Sequence, residues 1–338
     1  MSVAEGPYFE DLRVGQVFSG APSMTLTEGR AAAHQAITAD RLRLPLDAEL
    51  CRRVTGTAVP LAHPALVWDV AIGQSTLVTR HVVANLFYRG LAFHRAPLIG
   101  DTLRTRTEVV ALRQNRPRPA RPATGLVALR ITTVDQHGHT VLDFWRCAML
   151  PLRDPEASTG HRDELDDVGA AGAPEVPLSA AVQGWSLDVF RDAAAGTHLD
   201  GVHPGAVWET GGGDVVSSAP ELARLTLNVA AVHHDAGAGG GGRRLVYGGH
   251  TIGLALSQAT RVLPNLVTVT GWHGCDHTGP VREGDTLTST VEVQRVEELP
   301  GGSGGLAHLR STVRAASAAG AGAEPHDVLD WRYVAVLA

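Results

Sequence analysis

The chain contains no lysine; every one of its 29 basic side chains is an arginine. That excludes a Schiff-base nucleophile and a phosphate-loop lysine from its chemistry. Cysteine is nearly as scarce, with only Cys51, Cys147 and Cys275 and no CxxC spacing among them. Three isolated thiols make neither a disulfide framework nor a zinc site, and the expected compartment is a reducing cytoplasm. The opening MSVAEGPYFEDL lacks the basic and apolar regions of a secretion signal, and no stretch reaches the roughly 18 uncharged apolar residues of a membrane span. A net charge of -6 argues against a general nucleic-acid binder. What is present is an ordinary globular composition, 44% hydrophobic and 19% charged, over 338 residues. That length predicts two domains of about 150 residues, each burying its own core.

The chain is written twice. Gly100-Asp101-Thr102-Leu103 recurs 184 residues later as Gly284-Asp285-Thr286-Leu287, and Glu108-Val109 as Glu292-Val293 at the same spacing. Gly15, Val17 and Phe18 match Gly205, Val207 and Trp208, while Val141-Leu142-Asp143 and His63 match Val328-Leu329-Asp330 and His250 at a spacing of 187. Matches that keep chain order while their spacing drifts by a few residues are what loop insertions in two copies of one fold produce. Each copy reads as a short strand, one helix (59 to 78, and about 248 to 263) and four strand-like runs rich in Val, Thr, Leu and aromatics. The runs fall at 82 to 93, 102 to 112, 125 to 135 and 140 to 152, then at 266 to 277, 286 to 297, 305 to 316 and 327 to 337. One long helix followed by an antiparallel meander predicts an α+β unit with a sheet wrapped round a helix. The predicted domains are 8–152 and 186–338. Between them, 153–185 opens with the acidic, Pro/Gly/Ala-rich Arg153 to Pro177 and reads as a surface linker.

YFEDLRVGQVF, PLIGDTL, PVREGDTL and RRLVYGGHTIGLA resemble the MaoC-like acyl-CoA hydratases, and within them the mesaconyl-CoA (2-methylfumaryl-CoA) hydratases. The resemblance runs over nearly the whole chain. It implies a tandem double hotdog fold, a hydro-lyase acting at the α,β-double bond of an enoyl thioester, no metal and no cofactor beyond the coenzyme A of the substrate. It also implies two pseudo-symmetric halves that can pair further as a homodimer. The carrier is coenzyme A or an acyl-carrier protein.

Hydrating an enoyl thioester requires a group that takes a proton from water, a group that holds the water, and donors for the thioester oxygen as it gains charge. The family signature has an Asp, a His five residues later, and a His-Gly pair opening the central helix. Here His233 falls on the catalytic His, Asn228 on the Asp, Tyr247 on the pre-glycine His and Gly248 on the oxyanion glycine, with Gly249 and His250 beside it. Asn228 orients water but is no base, so His233 is expected to carry more of the proton transfer. His234 and Asp235 fall just past the active position and read as surface residues, and the glycine-rich run 237–242 as a loop. Arg243 or Arg244 is the expected partner of a substrate carboxylate. Arg113, Arg116 and Arg118, in a Pro/Arg-rich strand connection, are candidates for the phosphates of coenzyme A. The first copy reads as chemically silent: Asp40 has Pro45 rather than His five residues on, and His63 is followed by Pro64, which has no N–H. Helix starts at corresponding positions predict that His63 superposes on His250. Two other readings share these residues, a hotdog thioesterase and a non-catalytic acyl-binding partner.

Overall fold

Strict alternation builds the sheets. In β4 (Thr102–Gln114) Leu103, Thr105, Thr107 and Val109 face inward between exposed Arg104 and Arg106, and in β10 (Thr286–Glu298) Leu287, Ser289, Val291 and Val293 repeat the pattern. The computed structural model describes residues 6–118, 121–169, 176–238, 242–301, 303–317 and 324–338. The first half contains β1 (Val17–Phe18), β2 (Met24–Thr25), β3 (Ala84–Phe93), β4, β5 (Thr124–Val134) and β6 (Thr140–Pro151). The second contains β7 (Val207–Glu209), β8 (Asp214–Val215), β9 (Leu266–Asp276), β10, β11 (Gly305–Ala316) and β12 (His326–Leu337). All eight predicted long strands stand within two residues of their expected bounds.

The two copies have one topology and share one sheet. Strand order is β1-β4-β5-β6-β3-β9-β12-β11-β10-β7, so each half reads outward from the antiparallel β3–β9 seam in the same sequence. Helices α1 (Glu28–Thr38), α2 (Arg43–Leu46), α3 (Ala48–Thr55), α5 (Leu187–Ala193) and α6 (Ala219–Leu225) flank the two central ones, α4 (Pro64–Gln74) and α7 (Gly248–Val262). Every residue of α4 is buried, its polar Asp69 and Gln74 side chains being hydrogen-bonded, and Pro64 at its first position matches the fixed φ that a helix start accepts. The halves do not keep separate cores. Trp68 of α4 packs 4.9 Å from Trp272 and 6.1 Å from Trp331, both on second-half strands, and one apolar cluster runs through both copies.

Duplication extends to single hydrogen bonds. Gln74 Nε2 donates to Leu103 O at 3.1 Å and its Oε1 accepts from Thr105 Oγ1; Gln258 donates to Leu287 O at 2.8 Å and accepts from Ser289 Oγ. All three pairs of residues are 184 apart, the spacing of the GDTL repeats. This spacing corrects one expectation: His63 caps α4 and Tyr247 caps α7. His63 therefore corresponds to Tyr247, and His250 lies one turn deeper in its helix.

The described part of the 153–177 connection is also more than a surface linker. Leu165 is buried against Phe87, Ala111, Leu126, Ala128 and Cys147, and Asp163 accepts from the Leu112 N–H at 2.8 Å. The outer face of β4-β5-β6 carries enough apolar surface to need that cover.

Candidate active site

A cavity of about 700 Å³ opens between the halves, with His233, Asn228, Tyr247 and Gly248 in its wall together with first-half residues that include Asn85, Tyr88 and Arg146. The segment that delivers His233 is built by capping. Leu227 takes a left-handed φ of 61°, Asn228 follows, and its Oδ1 accepts the Ala230 N–H at 2.9 Å at the entrance to the short 3-10 helix Ala231–His233. Because that bond fixes the carbonyl oxygen of the side chain, Asn228 has its amide N–H groups left to offer. His233 Nδ1 lies 2.8 Å from Leu245 O, so Nδ1 carries the proton and Nε2 keeps its lone pair. Burial pushes the ring down to about 4, so His233 is neutral at pH 7 and competent to accept a proton. His234, read from sequence as a surface residue, instead holds the Asn228 carbonyl at 2.6 Å.

Much of this segment is held by the other half. Thr76 Oγ1 accepts the Val229 N–H at 2.9 Å, and Arg80 O accepts the Ala231 N–H at 3.2 Å. A Cβ on Gly73 of α4 would stand 1.8 Å from Thr226 O, so the segment before Asn228 lies against helix backbone.

Opposite His233, α7 begins. The first N–H groups of a helix have no intrahelical acceptor, and the helix dipole adds positive potential there. Gly248 faces the cavity, and the ring of His277 occupies the space where a Cβ on Gly248 would stand, with Nε2 at 2.6 Å from that position. His277 lines the same cavity, its Nε2 has no hydrogen-bond partner, and burial pushes its ring down to about 4. Sequence reading missed it because it follows the end of β9 with no motif around it.

The remaining expected site residues are distributed as follows. Tyr247 lines the cavity but sends its hydroxyl away from it, to Asp69 O at 3.1 Å and Asp69 Oδ1 at 3.3 Å on α4. Gly249 faces Asp69 rather than the cavity, since a Cβ there would be 2.0 Å from Asp69 Oδ1. His250 is fully buried inside α7, neither ring nitrogen has a partner, and burial pushes it to about 4. Arg243 is paired with Asp285 at 2.9 Å and Arg244 with Glu283, and neither lines the cavity. Arg113 lies 3.9 Å from Glu164, and Arg116 and Arg118 are exposed in the β4–β5 connection, also outside the cavity wall. Residues 239–241 of the glycine-rich run, and Pro119 and Ala120 of the Pro/Arg-rich run, lie outside the described residues.

Asp40 and His63 meet each other instead of the cavity. Their Oδ1 and Nε2 are 2.7 Å apart, though out of line for a hydrogen bond; His63 Nδ1 accepts the Ala65 N–H and Asp40 Oδ1 the Leu42 N–H. Both are committed to local capping. Asp40→Asn is expected to leave turnover within a few-fold and to cost stability of order 1 kcal/mol. A loss of turnover as large as that of a His233 variant, with the fold intact, would refute this.

Three buried rings held near 4 have a consequence for pH. Below about 6.5 the unfolded chain takes up protons that His233, His250 and His277 refuse in the fold. Unfolding free energy should therefore fall between pH 6.5 and about 4, by up to about 1.4 kcal/mol per pH unit for each ring. Buried Asp69, whose carboxyl is pushed upward by burial, acts in the opposite sense, but as one group against three. Urea unfolding at pH 7.5, 6 and 5 measures the slope, and equal stability at all three would contradict it. The acid limb of kcat/KM should likewise lie well below the 6.5 of a solvated imidazole.

Comparison with known proteins identifies the family and the fold. The sequence model of the mesaconyl-CoA hydratase family covers residues 2–305. The chain is 30% identical over 308 residues to the beta-methylmalyl-CoA dehydratase of Chloroflexus aurantiacus, covering 88% of this chain and 84% of that one. It is 28% identical over 317 residues to the mesaconyl-CoA hydratase of Cereibacter sphaeroides, covering 90% and 89%. Among solved structures, a conserved Mycobacterium tuberculosis protein with a double hotdog fold superposes with a TM-score of 0.91 at 54% identity, over 99% of this chain and all of that one. A MaoC-domain dehydratase structure from Chloroflexus aurantiacus superposes with a TM-score of 0.86 at 26% identity, over 100% and 99%. With two hotdog units around α4 and α7 and a family match across most of its length, the chain belongs to the mesaconyl-CoA hydratase family.

Proposed function

We propose that this protein adds water to, and removes it from, the α,β-double bond of a mesaconyl-type enoyl-CoA. The observation that carries the reading is the tautomer of His233: its proton is fixed on Nδ1 by Leu245 O, so a neutral Nε2 is available in a cavity that also contains the start of α7. In hydration, Nε2 takes a proton from water as the hydroxyl adds to the β-carbon, and the thioester carbonyl becomes an enolate. The N–H of Gly248 stabilises that oxygen, and the imidazolium returns the proton to the α-carbon. Dehydration is the reverse. Asn228 contributes amide donors that hold the water or the hydroxyl, because its oxygen is already bonded.

A reducing cytoplasm is the proposed compartment, supported by the buried free thiols Cys51, Cys147 and Cys275. The test is a panel of enoyl-CoA and 3-hydroxyacyl-CoA thioesters, branched and dicarboxylic members included, with products read by mass and free thiol by titration. Gain or loss of one water without thiol release is expected. Thiol release would establish a thioesterase, and tight acyl-CoA binding without turnover a non-catalytic partner.

A further inference from the structure

Arg146 stands in β6 between Trp145 and Cys147, on the strand face that sends Leu142, Phe144, Ala148 and Leu150 into the core. It is 3% exposed and lines the cavity. A guanidinium in such a place normally comes with a carboxylate, because stripping its water is unfavourable unless a counter-charge compensates. Arg146 has none within ion-pair distance among the described residues. Its three bonds go to neutral oxygens: Nε to Asn85 Oδ1 at 2.7 Å, one terminal nitrogen to Ser75 Oγ at 2.9 Å, the other to Thr79 Oγ1 at 3.1 Å. Ser75 Oγ donates in turn to Ile72 O at the C-terminal end of α4, which supplies only the partial negative charge of a helix end. Of the five N–H donors of a guanidinium, one on each terminal nitrogen is left without a partner.

The two arginines expected from sequence to meet a substrate carboxylate differ on this point. Arg243 and Arg244 already have carboxylates. Arg146 also acts on the reacting end of the site, since its charge helps hold the rings of His233 and His277 in their neutral forms.

We infer that Arg146 is the receptor for a carboxylate at the far end of the acyl group, and so selects dicarboxylic over neutral acyl thioesters. The unused N–H on each terminal nitrogen is a charge-assisted donor of the kind a carboxylate oxygen accepts. The donor comes from the first half, whose own catalytic signature is absent: one copy supplies His233 and Gly248, the other grips the distal end of the substrate. The inference rests on the hydratase reading for the identity of the acyl group, but its test does not need turnover.

Calorimetry with saturated thioesters separates the two. Wild-type protein should bind methylsuccinyl-CoA at least about tenfold more tightly than 2-methylbutyryl-CoA, which has a methyl group in place of the carboxylate. Arg146→Gln, which keeps donors for Ser75 or Thr79 but has no charge, should bring the two affinities within about threefold of each other. Arg146→Lys keeps the charge without the planar fork and should retain part of the preference, which covers the case of a Gln variant that fails to fold. No preference in the wild type, or an unchanged preference in either folded variant, overturns the inference. A carboxylate preference that depends on Arg146, in a protein that hydrates no enoyl-CoA, would uphold it while refuting the hydratase reading.

Discussion

Replacing His233 with alanine is expected to lower turnover of the best enoyl-CoA by about 10² to 10⁴ while leaving the fold and acyl-CoA affinity largely in place. That range is the ordinary cost of removing a general base. Among Asn228, His233, Tyr247 and Gly248, only the imidazole has a ring nitrogen free to accept a proton and return it, and burial keeps it in the neutral, accepting form at pH 7. The Asn228 oxygen is bonded to Ala230 N–H, and the Tyr247 hydroxyl points to Asp69. Binding should survive because the proposed donor to the thioester oxygen is the backbone N–H of Gly248, which the substitution does not touch. The bond lost, from Nδ1 to Leu245 O, joins the 3-10 turn to the chain before α7, so a loss of about 1 kcal/mol of stability is the expected side effect. Asn228→Ala should be milder, since Asn228 holds water rather than moving a proton, and Asn228→Asp should keep the capping acceptor for the Ala230 N–H while losing the amide donors. Stopped-flow turnover, acyl-CoA calorimetry and urea unfolding on the same preparations give the three quantities. Full turnover in His233→Ala, or binding and folding lost together, would show a structural histidine.

The second large effect is expected from a residue that has no chemistry. Gly73→Ala places a methyl group 1.8 Å from Thr226 O and 3.2 Å from Asn228 N, and neither the buried helix nor the backbone facing it has a flexible side-chain end to move. Overpacking of this kind costs about 1 to 3 kcal/mol, and more when backbone must shift. The shift falls on the segment that leads into Asn228 and His233, where a displacement of about 1 Å can cost about 10² in rate. Both thermal stability and kcat/KM should therefore drop, although Gly73 lies 155 residues before Asn228 in the chain. A gentler probe is Thr76→Val, which removes the acceptor of the Val229 N–H and should lower kcat/KM with less loss of stability. Wild-type activity in both variants would mean that the first half does not position the catalytic segment.

The eight long strands, the central helices, the α+β class and the order of Asn228, His233 and Gly248 were legible because period-two alternation, turn residues and capping are local properties, repeated in two copies. Arg146 could have been found the same way, as an arginine on the core-facing register of VLDFWRCAML. Its meaning could not, because an unpaired charge is defined by what surrounds it, and those neighbours come from residues 75 to 85.

Other assignments needed distances that no spacing contains. His63 and His250 share a residue type at one of several drifting repeat spacings, and only the helix ends show that His63 corresponds to Tyr247. Arg243 and Arg244 were plausible anion receptors until Asp285 and Glu283, some 40 residues on, were seen to take their charge. The sequence by itself determined which elements form and which side chain is the candidate proton carrier, since backbone propensity and the chemical type of a side chain travel with the residue. Tertiary structure alone decided that the two halves share one core, that the first copy holds the segment carrying His233, and that one buried arginine faces the cavity without a carboxylate. Burial and pairing are relations between distant parts of the chain, and they come into being only when the sheet closes across the β3–β9 seam.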